Sequence, residues 1–425
     1  MKLFPGYNLN SEEQRIIWLS SLGGMLEFYD FTIYGLFAVY FSQQFFPTHD
    51  AFISLIASYS IFVVGYIVRP LGGILFSHIG DELGRKKVLI LTMMLMGISS
   101  LGMGLLPNYA QIGIYAPALM LLFRLIQGLA IGGELPSMIV YASECMPNKR
   151  GYAMGGVFGG TLAGLIPGML INMLILHLLS QDEILAFGWR IPFILGGLLC
   201  IVAYFVRREL HETAAFNKLK QHSAAPFIDV MQNHLFKVLV GAGLVAIMAT
   251  PIILLIIFMP TYLVKLVHVD AKLASDAILL AACVGVTSTY ITGILAQKYR
   301  PLLLMKIYLI AIFIAALICY YTISLKNVSL VFGMCLFAIA QGGLVTLPAI
   351  VISYLFPTNV RLTGVALSYN ISFVLFGGLT PIVITSIVAK TGWLYLTPLA
   401  ILLITVCYTW WALNKAAHRV GHNHE

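Results

Sequence analysis

Long apolar runs alternate with short polar turns along the whole chain, and each run reaches the roughly 20 residues that a helix needs to cross a bilayer core. Twelve such runs are read, near residues 15–42, 51–79, 88–106, 112–143, 152–178, 189–207, 236–266, 274–297, 302–323, 328–356, 361–389 and 393–413. The only long polar stretch, RRELHETAAFNKLKQHSAAPFIDVMQNH, falls over 207–235 with six spans on either side. The pattern therefore predicts an N-terminal bundle over 1–206, a linker over 207–235, and a C-terminal bundle with a short tail over 236–425.

Composition agrees with this pattern. Hydrophobic residues make up 60% of the chain, charged residues only 10%, and mean hydropathy is +0.93, which excludes an ordinary soluble domain. The first run follows Lys2, Glu12, Glu13 and Arg15 without a small-residue cleavage site, so it reads as a retained span. Lys and Arg mark the cytoplasmic side. With both termini inside, Arg69 and Arg124 lie within spans and only Arg190, Lys265, Lys272, Lys326 and Lys390 fall outside. That bias accounts for the net charge of +8 without invoking nucleic acid. The six cysteines show no metal-ligand spacing and read as small core residues, with no disulfide framework. The tail HRVGHNHE reads as solvated, not as a metal site, and no cofactor is expected.

Charges inside apolar runs carry the chemistry. An ionised side chain at mid-membrane costs at least about 2.5 kcal/mol, so Glu27, Asp30, Arg69 and Arg124 must meet a partner or a polar cavity. Glu27, Asp30 and Tyr34 recur at helical spacing, as do Arg124, Gln127, Ile131 and Glu134, giving two polar stripes that can face each other. Between spans two and three lies GDELGRKK, Gly80 to Lys87, where Asp81, Gly84 and Arg85 are the parts of a charged hairpin. Glu144 and Arg150 sit on the next loop of the same side and can bridge helices as a cytoplasmic gate with Asp81 and Arg85. The halves echo one another: Gln127-Gly128, Pro147 and Arg150-Gly151 have counterparts in Gln341-Gly342, Pro357, Arg361 and Gly364, which suggests parallel repeats. Gln297 stands where the second hairpin would carry an acid.

The loop Gly80-Asp81-x-x-Gly84-Arg85-Lys86-Lys87 resembles the signature loop of the major facilitator superfamily. Three further segments, Gly24 to Gly35, Val68 to Gly73 and Arg124 to Gly151, resemble the metabolite:proton symporters of that superfamily, which take up citrate, oxoglutarate, shikimate, proline and betaine-type solutes. The resemblance implies an all-α fold of twelve transmembrane helices in two six-helix bundles around a central cavity. It also implies solute import with protons by alternating access, in a bacterial inner membrane and by a monomer. By comparison with sugar/proton members, Asp30 and Arg124 fall where coupling residues would. Held near an arginine the carboxylate stays ionised, and once the cation swings away burial favours the neutral acid. The other reading of the pair is a fixed ion pair that sets helix register.

Glu27 and Glu134 are further proton-site candidates, or structural partners of hydroxyls and helix ends. Arg69 is expected near the midplane as a clamp for a carboxylate, or as the resting partner of Glu27 or Asp30. Tyr29, Tyr34, Tyr66, Gln127, Gln341, Tyr369 and Asn370 complete the candidate solute-binding set. Tyr262 and Tyr290 are the other polar residues of the second half, each read as a packing residue. No nucleophile–base arrangement or phosphate loop appears, so an enzyme is not expected. The rival readings are a non-coupled facilitator or exporter of carboxylate-type metabolites, siderophore-like polycarboxylates included, and a sensor that binds solute without moving it.

Overall fold

A computed structural model describes residues 8–47, 51–218 and 225–421; His422 and His424 of the tail lie outside the described residues. The chain is helical from Ser11 onward. We number its long helices α1 (Ser11–Phe45), α2 (Ala51–Leu83), α3 (Arg85–Leu105), α4 (Tyr115–Cys145), α5 (Arg150–Leu178) and α6 (Arg190–Arg207). The second half holds α7 (Leu235–Val267), α8 (Ala271–Lys298), α9 (Pro301–Ser324), α10 (Ser329–Ile352), α11 (Thr358–Thr391) and α12 (Leu396–Gly421).

Eleven of these are apolar and long enough to cross a membrane among the described residues. The 35-residue α1, with Glu27 and Asp30 in its middle, completes the expected twelve. Its start shows why it begins where it does: Asn10 accepts from the Glu13 amide at 2.8 Å and Glu13 reaches back to the Asn10 amide, a capping box that satisfies two orphan donors. Three of these helices are not uniformly α-helical, α5 being interrupted at Gly164. Wide turns of π-type occupy Ile253–Ile257 and Tyr262–Val267 in α7 and Phe373–Gly378 in α11. Such bulges concentrate at functional sites because they re-aim side chains.

The internal repeat is visible as a pair of glycine crossings. A Cβ on Gly128 of α4 would lie 2.3 Å from the Gly65 carbonyl of α2, and one on Gly342 of α10 would lie 2.6 Å from the Gly285 carbonyl of α8. Only glycine permits this backbone approach. The equivalence also shows that, among the described residues, the mid-helix charges of the first half have uncharged counterparts in the second. One turn beyond Gly65 stands Arg69, but one turn beyond Gly285 stands Thr289; one turn before Gly128 stands Arg124, but one turn before Gly342 stands Ala338.

Candidate functional site

Two buried charge groups fill the middle of the first half. In the first, Arg69 of α2 donates to Glu27 of α1 through Nη2 at 2.8 Å, with both side chains almost fully buried. The guanidinium carbon lies 4.4 Å from the Tyr66 ring centre, 5.0 Å from that of Phe31 and 5.9 Å from that of Phe373. Tyr369 stacks on Phe373 at 4.5 Å, so the second half supplies one wall of this aromatic box. Glu27 Oε2 and Arg69 Nε are buried without a hydrogen-bond partner, which leaves the pair only partly satisfied.

The second group is a chain. Asp30 accepts from Ser100 Oγ at 2.7 and 2.8 Å and from Gln127 Nε2 at 2.6 Å. The Gln127 oxygen in turn accepts from Arg124 Nη1. The expected direct meeting of Asp30 and Arg124 is thus replaced by a link through Gln127, because Asp30 points into the bundle toward α3 while Arg124 sits over the Tyr34 ring at 4.2 Å and the Phe31 ring at 5.5 Å. Ser100 was missed in the sequence, where nothing distinguishes it from other helical serines.

Other expected members stand elsewhere. Glu134 does not face this crevice: it pairs with Arg207 of α6 at 2.6 Å and accepts from Thr92, both charges fully buried. Arg207 also donates to the carbonyls of Leu19, Ser20 and Leu89, so a residue counted among loop cations is a core staple. Tyr29 donates to the Pro192 carbonyl at 2.8 Å, packing α1 on α6, and Tyr34 donates to the Ser58 carbonyl at 2.9 Å while keeping its ring under Arg124. Asn370 donates at 2.9 Å to the carbonyls of Gly132 and Ala366 and so ties α11 to α4. Gln341 is buried at the α8–α10 crossing beside Gly285, with Nε2 unpartnered. In the second half, Tyr262 donates to the Leu394 carbonyl at 2.8 Å.

A third constellation locks the halves together at the end that carries the loop 80–87. Asp81 accepts from the amides of Leu362 and Thr363 at 3.2 and 2.9 Å and from the Thr363 hydroxyl at 2.8 Å, and pairs with Arg85 at 3.3 Å. Arg85 donates to the Thr358 carbonyl at 2.7 Å. Glu144 joins Arg85 at 3.2 Å to Arg361 at 2.8 Å. Arg150 takes a different partner from the expected one: its guanidinium lies over the Tyr354 ring at 3.8 Å. Arg361, noted in the sequence only as a repeat echo, fills the role foreseen for Arg150.

The linker contributes too. Glu212 accepts from the Arg85 and Lys86 amides at 3.1 Å, capping α3, and Thr213 donates to Glu144 at 2.7 Å. Gly84 has φ of +107°, and a Cβ there would lie 2.2 Å from Glu212 Oε2, so both conformation and space require glycine. Asp81→Asn is expected to loosen this lock, since one carboxylate serving three donors and a cation becomes an amide that repels two of them. The ratio of loop-end-open to loop-end-closed molecules should rise about tenfold or more, for a loss of about 1.5–3 kcal/mol per charge-assisted bond. Spin labels on the loop ends of α2 and α11 would report the longer distance, and an unchanged distribution would remove Asp81 from the lock.

Twelve spans in two bundles, buried charge groups in the first bundle walled on one side by the second, and a charge lock at one end define a secondary transporter of small solutes in a multi-pass membrane protein. A family model described as the Major Facilitator Superfamily matches residues 20–381, and the chain belongs to that superfamily. It is 32% identical over 408 residues to the glycine betaine/proline/ectoine/pipecolic acid transporter OusA of Dickeya dadantii (strain 3937), an alignment covering 92% of this chain and 81% of that one. It is also 32% identical over 385 residues to the proline/betaine transporter of Salmonella typhimurium (strain LT2), with 87% and 76% covered. Among solved structures, the proton:xylose symporter XylE bound to 6-bromo-6-deoxy-D-glucose superposes with a TM-score of 0.79 at 14% identity over 95% of this chain and 96% of that one. The human organic anion transporter MFSD10 gives 0.70 at 14% identity, with 94% and 100% covered. These structural likenesses speak for the fold. The superfamily moves solutes and catalyses no chemical conversion of them.

Proposed function

We propose that the protein imports a small zwitterion, of the betaine or cyclic amino acid type, together with protons, and that it does so in a bacterial inner membrane with both termini in the cytoplasm. The observation that carries the substrate class is the Glu27–Arg69 pair at 2.8 Å inside the box of Phe31, Tyr66 and Phe373. A zwitterion can replace both members of such a pair at once. Its carboxylate takes the planar fork of Arg69, and its ammonium takes Glu27 and the aromatic faces, which attract cations through their quadrupoles. A polycarboxylate would set its second negative group against Glu27 and gain nothing from the rings. The two relatives named for betaine and proline fit this reading.

Coupling follows from the Asp30–Gln127–Arg124 chain. While Asp30 is ionised, Gln127 offers it Nε2 and keeps its oxygen for Arg124. A proton on Asp30 Oδ2, the oxygen that faces Gln127, turns that acceptor into a donor, and the Gln127 amide then presents its oxygen to Asp30 and its NH₂ to Arg124. Two donors then face each other, and the guanidinium is released toward the crevice and the solute carboxylate. With the lock between the halves closed, the solute path is shut at the end that carries the loop 80–87 in the conformation described.

Uptake of labelled proline and glycine betaine into proteoliposomes, with and without an inward proton gradient, tests the whole reading. Accumulation above the bath concentration only under the gradient is expected. Equilibration without accumulation would establish the non-coupled facilitator instead, and accumulation of citrate but of neither zwitterion would overturn the substrate class. Arg69→Ala is expected to weaken zwitterion binding about a hundredfold or more, since truncating one partner of a buried charge pair costs about 2–5 kcal/mol. Calorimetric titration with proline checks this, and an unchanged affinity would remove Arg69 from the site.

A further inference from the structure

Two cavities of very different size meet at one side chain. The first, of about 10 Å³, lies among Gly65, Arg124, Gln127, Gly128 and Ile131, with Phe31 on its remaining side. That is room for no more than about one water. The second, of about 180 Å³, is walled by Phe28, Thr32 and Leu36 of α1, Leu165 and Met169 of α5, and Ile256 and Pro260 of α7, again with Phe31. Phe31 is the residue common to both walls among the described residues. It is half-buried, and its ring packs on Tyr66 at 5.2 Å.

The smaller cavity reaches Arg124 and Gln127, with Arg69 5.0 Å from the centre of the same Phe31 ring, but it has no space for a zwitterion. The larger cavity has the space and a mainly apolar lining, with Thr32 and Thr261 as its hydroxyl-bearing residues, and neither arginine is on its wall, the Phe31 ring standing between. It also borders the π-type turn Ile253–Ile257 of α7, where the second half meets the first. A phenylalanine on a helix can relieve this by moving between staggered rotamers about its first torsion. We infer that Phe31 is a movable partition that sets the size limit for the solute. When it turns aside, the two spaces become one, the charged groups of the solute meet Arg69, Arg124 and Glu27, and its aliphatic body occupies the space between α1, α5 and α7. The inference rests on the zwitterion reading given above. The class it selects is a compact zwitterion with one small ring or a few methyl groups, and the bulk it excludes is that of longer N-alkyl chains.

The test compares wild-type protein with Phe31→Ala, Phe31→Leu and Phe31→Trp, each purified in detergent and titrated with glycine betaine, proline, pipecolic acid and N,N-dibutylglycine. The readout is the ratio of the affinity for N,N-dibutylglycine to that for glycine betaine. Phe31→Ala and Phe31→Leu should raise it by about tenfold or more, the weight of one or two methylenes in an apolar pocket, and Phe31→Trp should lower it. If Phe31→Ala fails to fold, the leucine and tryptophan variants still read the same ratio in opposite directions. Binding of glycine betaine by the wild type with an unchanged ratio in the folded variants overturns the partition alone. No binding of any zwitterion by the wild type overturns the substrate class and this inference with it.

Discussion

Asp30→Asn is expected to abolish gradient-driven accumulation while exchange of bound for free solute continues. The buried carboxylate accepts from Ser100 and Gln127, and an asparagine occupies the same volume with one acceptor replaced by a donor. Ser100 can still donate to the remaining oxygen, so packing survives. With the new NH₂ in place of Oδ2, Gln127 turns its oxygen toward it, which places the Gln127 NH₂ against Arg124. The variant is therefore held in the arrangement proposed for the protonated wild type. It should bind solute and cycle with it, but no proton joins or leaves, so an imposed pH difference can do no work. Counterflow of labelled proline in proteoliposomes should remain within about a factor of a few of wild type, while uptake against a concentration gradient falls to the level without a proton gradient. Undiminished accumulation in this variant would place the coupling elsewhere, with Glu27 the next carboxylate on the same helix. Loss of counterflow together with accumulation would assign Asp30 to the transport cycle itself.

How far the sequence foretold the site depends on what kind of signal each residue left. Glu27, Asp30, Arg69 and Arg124 stand out because charge inside an apolar run is costly and rare, and all four are indeed buried in the middle of the first half. The signature loop was legible for the same reason. What spacing could not supply is direction. Residues three apart on a helix differ by about 60° in facing, so Glu27 meets α2 while Asp30 meets α3. Glu134 shares a face with Gln127, but two turns carry it roughly 10 Å along the axis, away from the crevice and into the reach of Arg207. Arg207 itself sits at the end of its span and looked like an ordinary loop cation.

The remaining losses are of long-range partners. Glu212 and Thr213 belong to a polar linker whose composition says only that it is outside the spans, and their contacts with α3 and Glu144 arise from chain folding alone. The linker is thus part of the lock between the halves as well as their connection. Arg361 had a usable signal in the repeat, since it echoes Arg150, yet in the structure it is Arg361 that meets Glu144 while Arg150 stacks on Tyr354. A repeat copies position without copying partner.

Glu134→Gln is expected to cost the protein about 3–5 kcal/mol of stability while leaving the proton dependence of transport intact. The argument turns on what the substitution leaves behind. Arg207 is fully buried, and its donors already serve the carbonyls of Leu19, Ser20 and Leu89, so the guanidinium has hydrogen bonds but, among the described residues, Glu134 alone as a paired anion. A neutral amide in place of that anion leaves an uncompensated positive charge in a medium that solvates it poorly. Relaxation offers little relief, because a Cβ on neighbouring Gly23 would lie 1.7 Å from Glu134 Oε1, which shows how tightly the pair is enclosed. The melting temperature in detergent should therefore fall by many degrees, with uptake per folded molecule near that of the wild type. Replacing both partners by apolar residues, Glu134→Leu with Arg207→Met, should recover much of the loss, since the orphaned charge is removed with its cause. An opposite result, with unchanged melting and a lost response to an imposed pH gradient, would return Glu134 to the set of residues that carry the proton.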